Sequence, residues 1–114
     1  MIILEILKIV AGIATILTGM FSLFWPLQVR SFTGLDVVGG RGVTEIRSIL
    51  GGFFIGLGAA VLFLNDPVAY QTLGIAYLVV ASVRTISMFV DKSIVQSNIL
   101  SVIAEVILGV ILIL

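Results

Sequence analysis

Apolar residues fill four stretches of the chain almost without a break, and the small or polar residues within them recur at intervals of three and four. The stretches run from about Ile2 to Phe24, Thr44 to Leu64, Tyr70 to Val90 and Ser97 to Leu114. Each matches the roughly 20 mostly apolar residues that a helix needs to cross a hydrocarbon layer. In such helices small residues mark the face of close approach. The first has Glu5, Lys8, Gly12, Thr15, Gly19 and Ser22, one seam of heptad-like period. The second has Ser48, Gly52, Gly56 and Ala60, each four apart, broadened by Gly51 and Gly58. The third has Gly74, Tyr77, Ala81, Arg84 and Met88, and the fourth Ser101, Glu105 and Gly109. The pattern predicts an all-α integral membrane protein, one antiparallel four-helix bundle over residues 1–114. Gly12, Gly19, Ser48, Gly52, Gly56, Ala60, Gly74, Ala81 and Gly109 are its expected packing positions. A second role for Gly52-x-x-x-Gly56 is a contact between two copies of the chain.

The connections differ in length. Residues 25–43 form a long loop with Trp25 and Phe32, aromatic side chains suited to the headgroup zone. A short interfacial helix is expected there over Leu27 to Phe32. Asn65-Asp66-Pro67 and Asp91-Lys92-Ser93 carry stop and start chemistry, so the last three helices should be antiparallel neighbours. The first residues lack a positive n-region, and segment one is expected to stay as an anchor. Arg30, Arg41 and Lys92 fall on the side of loops one and three, while the intervening turn holds only Asp66. The positive-inside rule places those two loops in the cytoplasm and both termini outside.

Composition narrows the chemistry. Charged residues make up 11% of the chain, well short of the about 25% of a water-soluble domain. There are no cysteines and no histidines. Disulfides, thiolate sites, imidazole ligands and Ser/His or Cys/His catalysis are thereby excluded. No cofactor, no metal site and no catalytic residue is expected. Ser48, Ser82, Ser87 and Ser101 are expected to bond helix carbonyls. Net charge is zero and no basic run exists, so nucleic acid has no electrostatic footing.

The informative exceptions are Glu45, Arg47, Arg84 and Glu105, charged residues within or at the edge of apolar stretches. An ionised group at the bilayer centre costs about 2.5–3.5 kcal/mol on insertion scales, so such groups turn toward partners. Arg84 lies seven residues before Asp91 and Glu105 eight after Ser97, which places both about 10–12 Å below the turn. An antiparallel hairpin then sets them face to face. Glu45 is expected inside and paired with Arg84, with Arg47 directed to headgroups or to Glu105. Near the opposite end, Glu5 and Lys8 are three apart and suited to pair with one another.

The stretch Thr44-Glu45-Ile46-Arg47-Ser48-Ile49-Leu50-Gly51-Gly52, followed in order by Arg84 and Glu105, resembles a bacterial family of small four-helix membrane proteins similar to the DoxX-like group. The likeness covers nearly the whole chain and rests on an E-x-R-x-x-x-G-G segment. It implies a four-helix bundle in the inner membrane. Some DoxX-like proteins are subunits of quinone-linked oxidoreductases and others are assembly factors. Small size, minimal loops and the lack of catalytic chemistry favour a non-catalytic accessory or assembly subunit of a larger membrane complex as the expected function, in contact with lipid and with other subunits or further copies of itself. The alternative is binding or transport of a small amphiphile, a quinone-like molecule or a proton through a polar pocket between helices two, three and four.

Overall fold

A computed structural model describes residues 2–114, and all regular structure among them is helical. Helix α1 spans Ile2–Phe24, α2 Pro26–Thr33, α3 Gly39–Leu64, α4 Pro67–Val90 and α5 Gln96–Ile113. Four of these, α1, α3, α4 and α5, are long and apolar enough to cross a membrane.

The boundaries follow from local chemistry. A residue before proline avoids the helical region, and Trp25 accordingly leaves it at φ −128° and ψ 60°. Pro26 then opens α2, where its missing N–H costs nothing. Gly34 closes α2 in the left-handed conformation at φ 77°, its N–H donating to the Arg30 carbonyl at 2.9 Å. Glycine takes that conformation without a Cβ penalty. The long loop expected over 25–43 thus shrinks to residues 34–38, because α2 takes its first half and α3 begins at Gly39. The early start of α3 is supported by Arg41 and Glu45, which pair one turn apart.

Helix α3 changes pitch. Gly39–Glu45 is α-helical, Ile46–Phe53 is π-helical, and Phe54–Leu64 returns to α. In the wider π turn, residues five apart come near one face. Ile46 and Gly51, five apart, are both buried, and Gly58 and Val61 continue that face at α spacing. Ser48, Gly52, Gly56 and Ala60 were expected on the packing side, but all four are exposed. That stripe presumes a 3.6-residue period throughout, and the π segment breaks its phase.

The chain packs as two compact units. One comprises Ile9–Leu64. Within it α1 and α3 run antiparallel in backbone contact: Gly12 meets Gly58, Leu62 and Val61, and Gly19 meets Gly51 and Ile55. A Cβ on Gly58 would stand 2.6 Å from the Gly12 carbonyl oxygen, and one on Gly19 would stand 2.6 Å from that of Gly51. Ala11, Gly12, Thr15, Gly19 and Ser22 form the buried face of α1. The regular seam is therefore the packing seam here. Its first member, Glu5, is exposed, and no ion pair joins it to Lys8 among the described residues.

The other unit groups residues 2–8 with 65–114. Its main feature is the antiparallel hairpin of α4 and α5. The two helices approach most closely at Gly74 and Gly109: a Cβ on Gly74 would lie 2.9 Å from the Gly109 carbonyl oxygen, and one on Gly109 would lie 2.6 Å from Leu78. Tyr70, Leu73, Ala81, Met88 and Leu112 are buried alongside. Asp66 caps α4 by accepting a hydrogen bond from the Val68 N–H at 2.8 Å, and the Tyr70 hydroxyl donates to Asn65 Oδ1.

Candidate functional site: an ion pair within the hairpin

Two features place the site. The first is the turn. Lys92 takes a left-handed conformation at φ 54°, and the Ser93 N–H reaches back to the Met88 carbonyl at 3.0 Å. This six-to-one bond ends α4 in a Schellman motif and sets the register of α5 against α4. The second is face periodicity. Arg84 shares the packing face of α4 with Ala81 and Met88, and Glu105 shares that of α5 with Gly109 and Leu112.

With those constraints Arg84 and Glu105 meet, as the register of the turn predicts. Arg84 Nε donates to Glu105 Oε1 at 3.0 Å and Nη2 donates to Oε2 at 2.8 Å. Both carboxylate oxygens are bound by one edge of the guanidinium, the bidentate geometry in which charge-assisted bonds are strongest. The arginine side chain is 33% exposed and the carboxylate side chain 13%.

Asn98 completes the arrangement and was not anticipated from the sequence. Its Oδ1 accepts from Arg84 Nη1 at 3.2 Å, while its Nδ2 donates to the Ser93 carbonyl at 2.9 Å. One side chain thus links the turn to the ion pair. The available signal was spacing: Asn98 precedes Glu105 by seven residues, two helical turns, and so shares its face.

Glu45 and Arg47 lie elsewhere than expected. Glu45 is exposed and accepts a hydrogen bond from Arg41, not from Arg84. Because α3 begins five residues before the apolar run, Arg41 becomes the neighbour one turn away. Arg47 is exposed on the π segment and makes no ion pair or hydrogen bond among the described residues. It does not join Glu105, both of whose oxygens are bound to Arg84. Arg30 and Asp36 form a looser exposed pair at 3.7 Å.

The neutral polar groups are mostly satisfied by their own helices. Ser82 and Ser101 donate to the Leu78 and Ser97 carbonyls at 2.8 and 2.9 Å, as expected of hydroxyls in apolar helices. Ser87 bonds the Asp91 carboxylate instead, and Ser48 makes no carbonyl bond among the described residues. No three acidic side chains converge among the described residues in a way that could hold a metal ion. The arrangement is a hydrogen-bonding and electrostatic site: a guanidinium fixed in place, its charge balanced by one carboxylate, in an otherwise apolar helix pair. Comparison of the chain with family models, with curated proteins and with solved structures finds no match.

Proposed function

We propose that this chain is an integral membrane protein of the DoxX-like kind, an antiparallel four-helix bundle in a bacterial inner membrane, and that it serves as a non-catalytic accessory or assembly subunit of a larger membrane complex. The membrane setting is supported by the outward faces of the long helices. Phe63 is 89% exposed and Phe89 69%, and Val83, Phe53 and Ile107 also stand mostly outside the packing. Continuous apolar surface of this extent is rare on water-soluble monomers.

The observation that carries the accessory role is the open small-residue face of α3. Beyond its chain neighbours and the adjacent backbone of its own helix, nothing described lies within 4 Å of where a Cβ on Gly56 would stand, and a Cβ on Gly52 would meet only the Arg47 carbonyl at 3.8 Å. In lipid a face of this kind admits the backbone of another helix. Arg47, on the same helix, adds a charge without a partner in the described chain. An acidic group on a neighbouring subunit would balance it.

Purification from native membranes in mild detergent tests the role. The chain is expected to elute well above monomer size together with other membrane proteins. Gly56→Leu is expected to release it as a monomer with unchanged helical content, since its Cβ would enter open space. Elution of the unaltered chain at monomer size under all mild conditions argues against the proposal.

A further inference from the structure

The Arg84 guanidinium has donors to spare. It carries five N–H groups. Three are used, two on Glu105 and one on Asn98. The two remaining N–H groups, one on each terminal nitrogen, have no acceptor among the described residues, and a third of the side chain is exposed. Asn98 and Glu105 hold the group from two levels of α5, and Asn98 is itself tied to the turn through Ser93. The open edge is therefore presented in a fixed orientation.

Depth and charge restrict what can satisfy it. Arg84 precedes the end of α4 by about two turns, or about 10 Å. The headgroup layer is about 5–8 Å thick on each side of the hydrocarbon. If the 91–95 turn sits at the outer edge of that layer, the guanidinium lies near the hydrocarbon boundary, where the ester carbonyls of glycerolipids are found. Charge favours the same class of ligand. Glu105 already cancels the arginine, so an anion on the open edge would put two negative groups across one cation where the dielectric is low. An uncharged carbonyl oxygen accepts the same hydrogen bonds without that repulsion.

We propose that the α4–α5 hairpin is a binding site for the ester carbonyl of a glycerolipid, seated on the free edge of Arg84, with Asn98 and Glu105 as positioning residues. The inference rests on the membrane reading, but not on the accessory role.

Ether-linked lipids lack the carbonyl and supply the test. The full chain is placed in nanodiscs made from equal parts of diacyl and dialkyl phosphatidylcholine, and the lipids that remain bound on gentle ejection are counted by native mass spectrometry. At least a threefold preference for the diacyl lipid is expected. Arg84→Gln and Asn98→Ala should each bring the ratio toward one. Equal retention of the two lipids by the unaltered chain overturns the proposal, whether or not the variants fold. A second mixture, diacyl phosphatidylglycerol with diacyl phosphatidylcholine, should show no preference. Strong selection of the anionic lipid would identify the phosphate as the ligand and overturn the carbonyl assignment. Failure of the chain to enter any disc would instead overturn the membrane reading, and the site with it.

Discussion

A single carboxylate decides whether Arg84 is an asset or a liability to the hairpin. Removing one partner of a partly buried ion pair leaves an uncompensated charge, which costs about 3–5 kcal/mol in fully buried cases. Arg84 is one-third exposed, so solvent relieves part of that penalty, and Glu105→Ala is expected to destabilise by about 2–3 kcal/mol. Replacing both partners together, Arg84→Met with Glu105→Leu, should restore most of the loss, because no charge is then stranded. Unfolding titrations in detergent measure both values. A double variant no more stable than Glu105→Ala would show that the pair does more than neutralise itself. At the turn, Lys92 occupies a left-handed conformation that costs an L-residue roughly 1–2 kcal/mol. Lys92→Gly should therefore raise hairpin stability by about 1 kcal/mol in the same titration. Stability unchanged or lowered would mean that the lysine contributes something its geometry does not reveal. Of these residues, Arg84 and Glu105 were legible in the sequence because the turn between them is short and its centre fixes the register. Asn98 was not. A polar residue in the first turn of a helix reads as surface, and only the pairing itself distinguishes it from one.

Glycine spacing reveals the packing of three long helices and misleads on the fourth. The α1 seam through Gly12, Thr15, Gly19 and Ser22 and the hairpin contacts at Gly74 and Gly109 follow a regular helical period, so their buried faces could be read directly. In α3 the equal four-residue spacing of Ser48, Gly52, Gly56 and Ala60 pointed to the wrong face. A π segment lies within that stripe, and no composition rule locates such a segment in advance. The same irregularity, with the early helix start at Gly39, explains why Glu45 turns to Arg41 instead of joining the hairpin pair. The two glycine classes on α3 should respond in opposite ways to one methyl group. In Gly58→Ala the Cβ would press on the Gly12 carbonyl and on Ile16, both at 2.6 Å, where backbone has to move. Overpacking of this kind costs about 1–3 kcal/mol. In Gly56→Ala the methyl meets open space, and the better helix propensity of alanine should make the change neutral or stabilising by up to about 1 kcal/mol. Thermal unfolding of the two variants, measured without other subunits, should rank them on either side of the parent. The reverse order would mean that the α1–α3 contact runs along the other stripe.

A chain with four helices of spanning length has connections that must alternate between the two sides of the membrane if every helix crosses. Residues 34–38 and 91–95 would then share one side, and the turn at Asn65-Asp66 would lie on the other. Arginine and lysine lie in or beside the first set, at Arg30, Arg41 and Lys92, whereas the second holds Asp66 in its turn, with Glu5 and Lys8 at the start of α1 on the same side. The positive-inside rule would place the first set in the cytoplasm. The absence of cysteine from the chain makes this simple to measure, since each introduced thiol is the sole reactive site. Asp36, Asp66 and Lys92 are all exposed and none contributes to a packing face, so cysteine at each should leave the packing intact, Asp66→Cys giving up only the α4 cap at about 1 kcal/mol. In intact cells, a thiol reagent that cannot cross the membrane should label Asp66→Cys, while Asp36→Cys and Lys92→Cys should react only after the membrane is opened. Labelling of Asp36→Cys and Lys92→Cys without Asp66→Cys would keep the crossings of α3 and α4 and reverse the orientation, showing that three basic residues do not set it here. Opposite behaviour of Asp36→Cys and Lys92→Cys is the more serious outcome. It would require an odd number of crossings between residues 36 and 92, so that α3 or α4 lies on the membrane instead of through it. Where α4 is that helix, Arg84 sits at a depth unrelated to the ester carbonyls, and the hairpin loses the lipid ligand proposed for it.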